Sequence, residues 1–201
     1  MTEQSRAARR RDQILEAAYR VFGAKGYHNS GIADIAADLG IGHGTFYRYF
    51  KNKRDIFRHV VEGIVEQLRA VVADEDPDAT DSIEAYRQQT LRIASKLAQL
   101  FRDDPYLGKL LFYEALGVDQ EINELIHRAF DMFGVFTELY FQNGLRKGFL
   151  RPGLRTRETA LAVNAMIFEA GRRIYVDDEP DRALSRWIEA VVALMFDGVR
   201  P

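Results

Sequence analysis

Residues 26–53 read GYHNSGIADIAADLGIGHGTFYRYFKNK, and this stretch decides the fold. It contains two short segments with apolar residues at helical spacing, separated by a glycine-rich turn at 40–42. Ser30 is predicted to cap the first helix, and Phe46 and Phe50 are predicted to hold the second helix against the protein. Two helices joined by a tight turn, the second with a polar, aromatic and basic outer face, indicate a helix-turn-helix that fits the DNA major groove.

The outer face of the second helix supplies the main candidate DNA contacts. Arg48 can fork onto guanine, and the methyl group of Thr45 can contact a thymine methyl. The hydroxyls of Tyr47 and Tyr49 can hold phosphates, which fixes the register without reading sequence. The alternative for Tyr49 is that its ring packs against the protein. Arg48 is therefore the residue predicted to read bases.

The starts of both helices add further candidates. Ser30 and the backbone at Gly31 would place the first helix N-terminus against a phosphate. His43 is either a DNA contact or only a solvated residue at the start of the second helix. The glycines between Gly40 and Gly44 lack the G-x-G-x-x-G spacing and follow no predicted strand, so no nucleotide site is predicted there.

Composition indicates a globular protein with two electrostatically different parts. The chain has 201 residues, of which 47% are hydrophobic and 29% charged, and it has no cysteine, which excludes disulfides and thiolate metal sites. Residues 1–60 carry 11 basic and 6 acidic side chains, a net +5, whereas the remainder carries 17 and 24, a net −7. This asymmetry favours contact with a polyanion through the first part only.

Residues 1–11 are polar and basic, and no apolar run reaches about 18 residues, so neither a secretory signal nor a membrane span is predicted. The expected location is cytoplasmic.

Apolar residues recur at helical spacing nearly everywhere, so an all-α fold of about nine helices is predicted. Three helices form an N-terminal head over residues 1–52, and residues 53–201 form a helical bundle for ligand binding and dimerisation. The acidic segment 74–78 is predicted to be a solvated loop. The predicted helices are 6–25, one beginning after Ser30 and closed by Gly40, 43–49, 53–73, 81–103, 105–116, 119–147, 156–177 and 181–198.

At this point the residues resemble a known family, the TetR family of transcriptional repressors. The matching residues are Gly26-Tyr27, Ile35-Ala36, Gly40-Ile41, Gly44-Thr45-Phe46-Tyr47, Tyr49-Phe50, Asn52-Lys53 and Phe57. The resemblance covers residues 8–68, with the helix-turn-helix at about 31–50. It implies an effector pocket inside the C-terminal bundle and a phosphate contact by Lys53. A homodimer on a palindromic operator is predicted on a separate ground, because one small head makes too few DNA contacts and two-fold symmetry doubles them.

Two positions depart from the family pattern. Gly31 and Ala33 stand where the family usually has threonine and a basic residue. The first helix of the motif is therefore expected to contribute less to DNA contact, and more is expected from the second helix and from Arg6, Arg9, Arg10 and Arg11. That basic arm either enters a minor groove, holds phosphates, or is a disordered, solvated tail.

The region after residue 80 is rich in aromatic side chains, most of which are expected to be ordinary core. The helix at 119–147 is apolar on more than one side, so it is buried on more than one side or lines a cavity. A small hydrophobic or aromatic effector is predicted to contact Phe101, Phe112, Tyr113, Phe133, Phe136, Tyr140 and Phe168. The candidate polar anchors, each with the alternative of a surface ion pair or a cap, are Glu114, Asn164, Glu169 and Arg172.

The last two helices are predicted to form a homodimer face, because small and apolar residues allow close packing into a four-helix bundle. The alternative is that these residues pack only within one chain. On the penultimate helix, the side assigned to the pocket has Leu161, Asn164, Ala165, Phe168 and Arg172, and the side assigned to the partner has Ala162, Met166, Glu169 and Ala170. On the last helix, the partner side has Trp187, Ala190, Val191 and Leu194.

Other classes of function find little support. The four histidines show no metal-ligand spacing, and Glu124 with His127 matches Glu-x-x-His once where a di-iron bundle needs it twice. No metal, cofactor or catalytic residue is predicted. The sequence therefore predicts a ligand-responsive repressor, with an activator, an effector-independent regulator, an all-helical enzyme and a helical adaptor as alternatives.

Overall fold

The structure, a computed structural model, describes residues 3–199. Over that range it is all-helical, which confirms the predicted class, and its nine α-helices match the predicted number. A 3₁₀ turn occupies Pro77–Ala79, and a π-helical turn at Leu110–Glu114 directly continues α6. The helices are α1 (Glu3–Lys25), α2 (Ile32–Leu39), α3 (His43–Tyr47), α4 (Lys53–Val72), α5 (Ile83–Asp103), α6 (Leu107–Lys109), α7 (Gln120–Lys147), α8 (Thr156–Tyr175) and α9 (Pro180–Val199).

The chain forms two compact units. The first contains the described residues up to Gln67 together with Asp104–Ile126, and the second contains Leu68–Asp103 and the described residues from His127 onward. The division falls within α4, and the predicted boundary of the DNA-binding head after residue 52 stays a prediction. Sequence alone cannot place the division, because the apolar face of α4 continues without a break to Leu68.

The first unit has an aromatic core shared by α1 to α4. Phe22, Phe46 and Phe57 are completely buried, and the rings of Phe22 and Phe57 meet edge to face with centroids 5.0 Å apart. Gly40 ends α2 in the left-handed conformation, with φ 63°, which a glycine adopts without steric cost. This core fixes α3 although the helix itself has only five residues.

The start of α2 corrects one prediction. The cap residue is Gly31, and the Asp34 carboxylate accepts a hydrogen bond from the Gly31 N–H at 2.7 Å. The Ser30 hydroxyl instead donates to the Gly26 carbonyl at 2.8 Å, back into the preceding turn. The prediction that Ser30 caps α2 is therefore wrong by one residue.

The second unit is built around aromatic side chains from α5, α7 and α9. Tyr86 and Tyr140 stack with centroids 5.0 Å apart, and Phe196 meets Tyr86 at 5.1 Å. The buried Asn143 amide donates to the carbonyls of Pro77 and Thr80, at 2.9 and 2.8 Å, and so holds the chain that follows α4.

The acidic segment 74–78 is not simply solvated. The Glu75 side chain is only 7% exposed, because Lys96 and Gln89 donate to its carboxylate at 2.7 and 3.0 Å. Burial alone would raise the pKa of Glu75, but those hydrogen bonds bring it below its ordinary value. Glu75 is therefore a buried structural residue within this acidic segment.

Over residues 3–199, every helix is too short or too polar to cross a membrane.

Candidate DNA-binding face and effector region

The recognition helix α3 has two different sides. Phe46 and Phe50 are buried, with their rings 5.9 Å apart, as predicted. The helix ends at Tyr47, two residues earlier than predicted, because the Tyr49 N–H bonds the Phe46 carbonyl at 2.9 Å in a tighter turn. Arg48 and Tyr49 therefore lie on a turn that follows the helix and not on the helix itself.

The opposite side of α3 is open to solvent. Tyr47 is 55% exposed, His43 and Arg48 are exposed, and Thr45 and Tyr49 are half-buried. All five residues lie in one short segment, where DNA contacts were predicted.

The basic residues of the first unit fall into two groups. One group is paired within the protein: Arg20 with Asp38 at 2.6 Å, Lys25 with Asp34 at 2.5 Å, and Arg54 with Asp119 and Glu121 at 2.5 and 2.6 Å. The other group makes no side-chain ion pair, hydrogen bond or cation–π contact within residues 3–199 and consists of Arg6, Arg9, Arg10, Arg48 and Lys51. The unpaired group lies only at the start of α1 and at the end of α3.

Lys53 is held differently from the prediction. Its ammonium donates to the carbonyls of Tyr27 and Ser30, at 2.7 and 2.9 Å, and lies 4.3 Å from the centre of the Tyr27 ring. These contacts fasten the start of α4 to the turn before α2. An ammonium has three protons, so one remains for a phosphate, and that role stays a prediction.

The predicted phosphate donors at the start of α2 are also engaged. Ser30 is buried, and the Gly31 N–H is bonded to the Asp34 carboxylate. Hydrogen bonds to Asp34, from Lys25 first and Gly31 second, lower the pKa of that carboxyl. An ionised carboxylate therefore occupies the helix start, which agrees with the expectation that α2 contributes less to DNA contact.

The segment 104–121 is fastened to α1 and α4 within the first unit, a feature that no sequence pattern indicates. Tyr19 donates to Asp104 at 2.6 Å, and Lys109 donates to the Gly23 carbonyl at 2.7 Å. Burial, and then the hydrogen bond to Asp104, raise the pKa of Tyr19. Lys109 thus satisfies a carbonyl at the C-terminal end of α1.

Glu114 completes this attachment at the turn after α1. Its carboxylate accepts from the Tyr27 N–H at 2.8 Å. Gly26 has φ 84°, and a Cβ there would lie 2.8 Å from the Glu114 carboxylate, so both the turn and the contact require glycine. Glu114 thus caps a backbone N–H, which is one of the alternatives given for it above.

The predicted effector contacts are divided between the two units. Phe112 and the partly exposed Tyr113 lie on the π-helical turn of the first unit, and the other five predicted aromatic contacts belong to the second. In the second unit Phe133 contacts Phe168 with centroids 6.4 Å apart, and Phe136 contacts Tyr140 at 5.3 Å. Two aromatic neighbours that the predicted set omits are Phe130, 3.7 Å from Phe168, and Tyr86.

The polar candidates of the second unit have distinct environments. The buried Asn164 amide donates to Thr137 Oγ1 at 2.9 Å and to the Ala160 carbonyl at 2.8 Å. Arg172 donates twice to Glu169 at 2.9 Å. The Tyr140 hydroxyl is buried and has no hydrogen-bond partner among residues 3–199. Such a group is costly to bury, so it is the strongest candidate to meet a polar ligand atom.

An open apolar groove of about 380 Å³ runs between α8 and α9. Six residues predicted for the partner side and one assigned to the pocket side line it: Met166, Glu169, Trp187, Ala190, Val191, Leu194 and Ala165. Leu161, also assigned to the pocket, is exposed, whereas Ala170, assigned to the partner, is buried. The surface of α8 that lines the groove is therefore rotated slightly around the helix axis from the predicted partner side.

Within the described part of the chain no group of three or more His, Asp or Glu side chains is placed to hold a metal ion.

A helix-turn-helix with an exposed Tyr-Arg face, attached to a helical second unit, defines a DNA-binding transcriptional regulator. The family model of the bacterial regulatory proteins, tetR family, matches residues 14–60. The fatty acid metabolism regulator protein of Bacillus subtilis (strain 168) is 30% identical over 150 residues, which cover 72% of this chain and 73% of that protein. The chain belongs to the TetR family of transcriptional regulators.

Solved structures share the whole fold. The transcriptional regulator FadR from Bacillus subtilis, in complex with stearoyl-CoA, has a TM-score of 0.76 at 23% identity, over 94% of this chain and 98% of that one. The fatty acid degradation regulator FadR from Bacillus halodurans has a TM-score of 0.70 at 22% identity, over 94% and 95%.

Proposed function

We propose that this TetR-family regulator is a ligand-responsive repressor that acts as a homodimer on a palindromic operator, inside the cytoplasm. The observation that carries the proposal is the exposed Arg48 guanidinium, which follows the exposed Tyr47 in sequence and makes no ion pair or hydrogen bond among the described residues, whereas Arg20, Lys25 and Arg54 of the same unit are paired. An unpaired guanidinium gives up no protein partner when it forks onto a guanine. The chain has no catalytic role in this proposal.

The groove between α8 and α9 supports the homodimer. Leu194 is 63% exposed beside Trp187, and small residues such as Ala190 allow a second helix to approach closely. A two-fold face is self-complementary, and two heads double the DNA contacts that one small head can make. An operator with two related half-sites follows from that symmetry.

The effector is proposed to be a long-chain fatty acyl-CoA. The Bacillus subtilis relative is a fatty acid metabolism regulator by name, and a structure of the same fold contains stearoyl-CoA. The aromatic side chains around Phe133, Phe168 and Tyr140 in the second unit suit an acyl chain. The unpartnered Tyr140 hydroxyl suits the thioester carbonyl, since a phenol donates to an oxygen acceptor.

The effector would act through the helix that both units share. Helix α4 runs from Lys53, which is fastened beside the helix-turn-helix, into the second unit after Gln67. We propose that acyl-CoA favours a conformation of the second unit in which α4 holds the DNA-binding side chains away from the operator. By linkage, operator and acyl-CoA then weaken each other by the same factor.

Operator binding is tested by selecting bound fragments of the source genome and measuring affinity for the best site over a salt series. A palindromic site, two protomers for each duplex and a steep negative salt slope are expected. Absence of any enriched site, from protein shown by mass spectrometry to be free of ligand, would contradict the proposal.

The homodimer is tested with Leu194→Glu, which places a charge in the groove. Sedimentation should show a dimer for the native chain and a monomer for this variant at micromolar concentration. Leu139→Glu is the matched control, because Leu139 is a similarly exposed leucine on α7 of the same unit. A native monomer, or equal effects of both variants, would remove the groove from the interface.

The effector is tested by titrating stearoyl-CoA into the operator complex, with free CoA and stearate as controls. Release by stearoyl-CoA alone is expected. Tighter DNA binding would make the ligand a corepressor, and no change with any acyl-CoA would favour the effector-independent regulator.

A further inference from the structure

The first two turns of α1 carry the largest group of unpaired cations in the first unit. Arg6, Arg9 and Arg10 are exposed and make no ion pair or hydrogen bond with any other residue of the 3–199 range. Asp12 lies three residues after Arg9 at helical spacing, yet the two form no ion pair in this range. The segment is helical from Glu3, so it is not the disordered tail that was one of the alternatives for this arm.

Helix geometry makes this arrangement unfavourable without a partner. Arg6 neighbours Arg9 and Arg10 at i+3 and i+4, and like charges at those spacings destabilise a helix. The cations also lie near the N-terminus, where the helix dipole disfavours positive charge. An anion beside these residues would reverse both effects.

The face of α1 changes character along its length. Ile14 and Ala17 belong to the core, and Arg10 and Arg6 continue the same face towards the N-terminus. This face of α1 is therefore apolar and buried at Ile14 and Ala17, and cationic and exposed at Arg10 and Arg6.

One contact ties this face to the recognition helix region. The Arg11 guanidinium lies over the Phe50 ring, 5.0 Å from its centre. Phe50 follows Arg48 by two residues, and Lys51 comes directly after it. This contact places the start of α1 next to the turn that follows α3, where Arg48 and Lys51 lie.

We infer that Arg6, Arg9 and Arg10 form a DNA-phosphate site that flanks the bases read by α3, an inference that rests on the proposed operator binding. Helical cations on a rigid scaffold fix the register of the protein on the duplex and carry no sequence information themselves. The site adds affinity and salt dependence to the contacts of Arg48 without changing the operator sequence.

The test compares the salt dependence of operator affinity for R6A/R9A/R10A with that of the native chain. Alanine keeps α1 helical, which circular dichroism checks. The slope of log affinity against log salt should become shallower by about 0.9 for each phosphate that the variant no longer neutralises, so by up to about 5 in a dimer. The selected operator sequence should stay the same.

Two further variants sharpen the test. R151A/R155A/R157A removes the same charge from exposed arginines in the second unit that make no ion pair or hydrogen bond among the described residues, and it should leave the slope nearly unchanged. R6K/R9K/R10K should keep the native slope, because lysine also binds phosphate.

The inference is overturned by an unchanged slope in the alanine variant, by an equal change in the charge-matched control, or by disappearance of a flanking sequence preference, which would mean base reading by the arm. A native protein that binds no operator at all would instead overturn the proposed function.

Discussion

The two units use their aromatic residues in opposite ways. In the first unit Phe46 is completely buried and its neighbour Tyr47 is 55% exposed, so packing and candidate function lie on opposite sides of one short helix. In the second unit Tyr140 is only 3% exposed and stacks on Tyr86. Burial there does not distinguish a residue that contacts a ligand from one that only packs in the core. Exposure therefore separates function from packing in the DNA-binding unit, but not in the effector unit.

The largest expected difference comes from the two neighbouring aromatic residues of α3. Phe46→Ala should cost ~3–5 kcal/mol of unfolding free energy, because it leaves a cavity in a closed core. Tyr47→Ala should change stability by less than about 0.5 kcal/mol, because the ring is exposed, and should weaken operator binding instead. Urea denaturation and operator titration of both variants measure the two quantities. Equal stability losses would mean that Tyr47 packs and that the comparison is wrong.

Arg48→Ala tests the exposed side of the same helix. It should weaken operator binding by ~1–3 kcal/mol and relax the preference at one base pair of each half-site, because alanine cannot form the forked hydrogen bonds to guanine. Arg151→Ala, an exposed arginine in the second unit, is the control for charge. An unchanged set of selected sites would assign Arg48 to phosphate rather than to a base.

The outer and inner sides of α3 could be predicted from sequence because a short helix between glycines has few ways to pack. Gly31 rather than Ser30 caps α2, since both residues suit a cap and only the Asp34 contact decides between them. The Glu114 contact with the Tyr27 N–H joins positions 87 residues apart, and no local pattern encodes it.

In the second unit, periodicity identifies the buried faces of α7 and α8 but not their neighbours. The pairing of Tyr86 with Tyr140 and the rotation that places Ala165 in the groove depend on how several helices pack together.

Tyr140→Phe tests whether the inner aromatic residues of the second unit do more than pack. Removing a buried hydroxyl without a partner should leave stability unchanged or raise it by up to about 1 kcal/mol. Stearoyl-CoA affinity should fall by about 0.5–1.5 kcal/mol if the hydroxyl bonds the thioester. Tyr86→Phe, which changes the ring stacked on Tyr140, is the control. Unchanged acyl-CoA affinity would make Tyr140 a core residue only.

The smallest expected effect concerns Glu169, which lies in the groove and pairs with Arg172 at 2.9 Å and Arg173 at 2.5 Å. Those hydrogen bonds, from Arg172 first, lower the pKa of Glu169 to about 2. A lowered pKa means that the pair stabilises the protein above the ordinary pKa of 4.5 and loses that contribution as the pH falls towards 2. The melting temperature of Glu169→Gln should therefore lie slightly below the native value at pH 7, and the gap should narrow over that range.

The carboxylate is exposed in a single chain, so solvent screens the pair and the gap should be small. If a second copy covers the groove, water is excluded and the gap should widen as protein concentration rises through the dimerisation range. Glu179→Gln, which removes an exposed pair with Arg182 outside the groove, should show no such concentration dependence. A gap at Glu169 that ignores concentration would mean that the groove stays open to water. The homodimer interface would then have to be sought on a surface other than this groove.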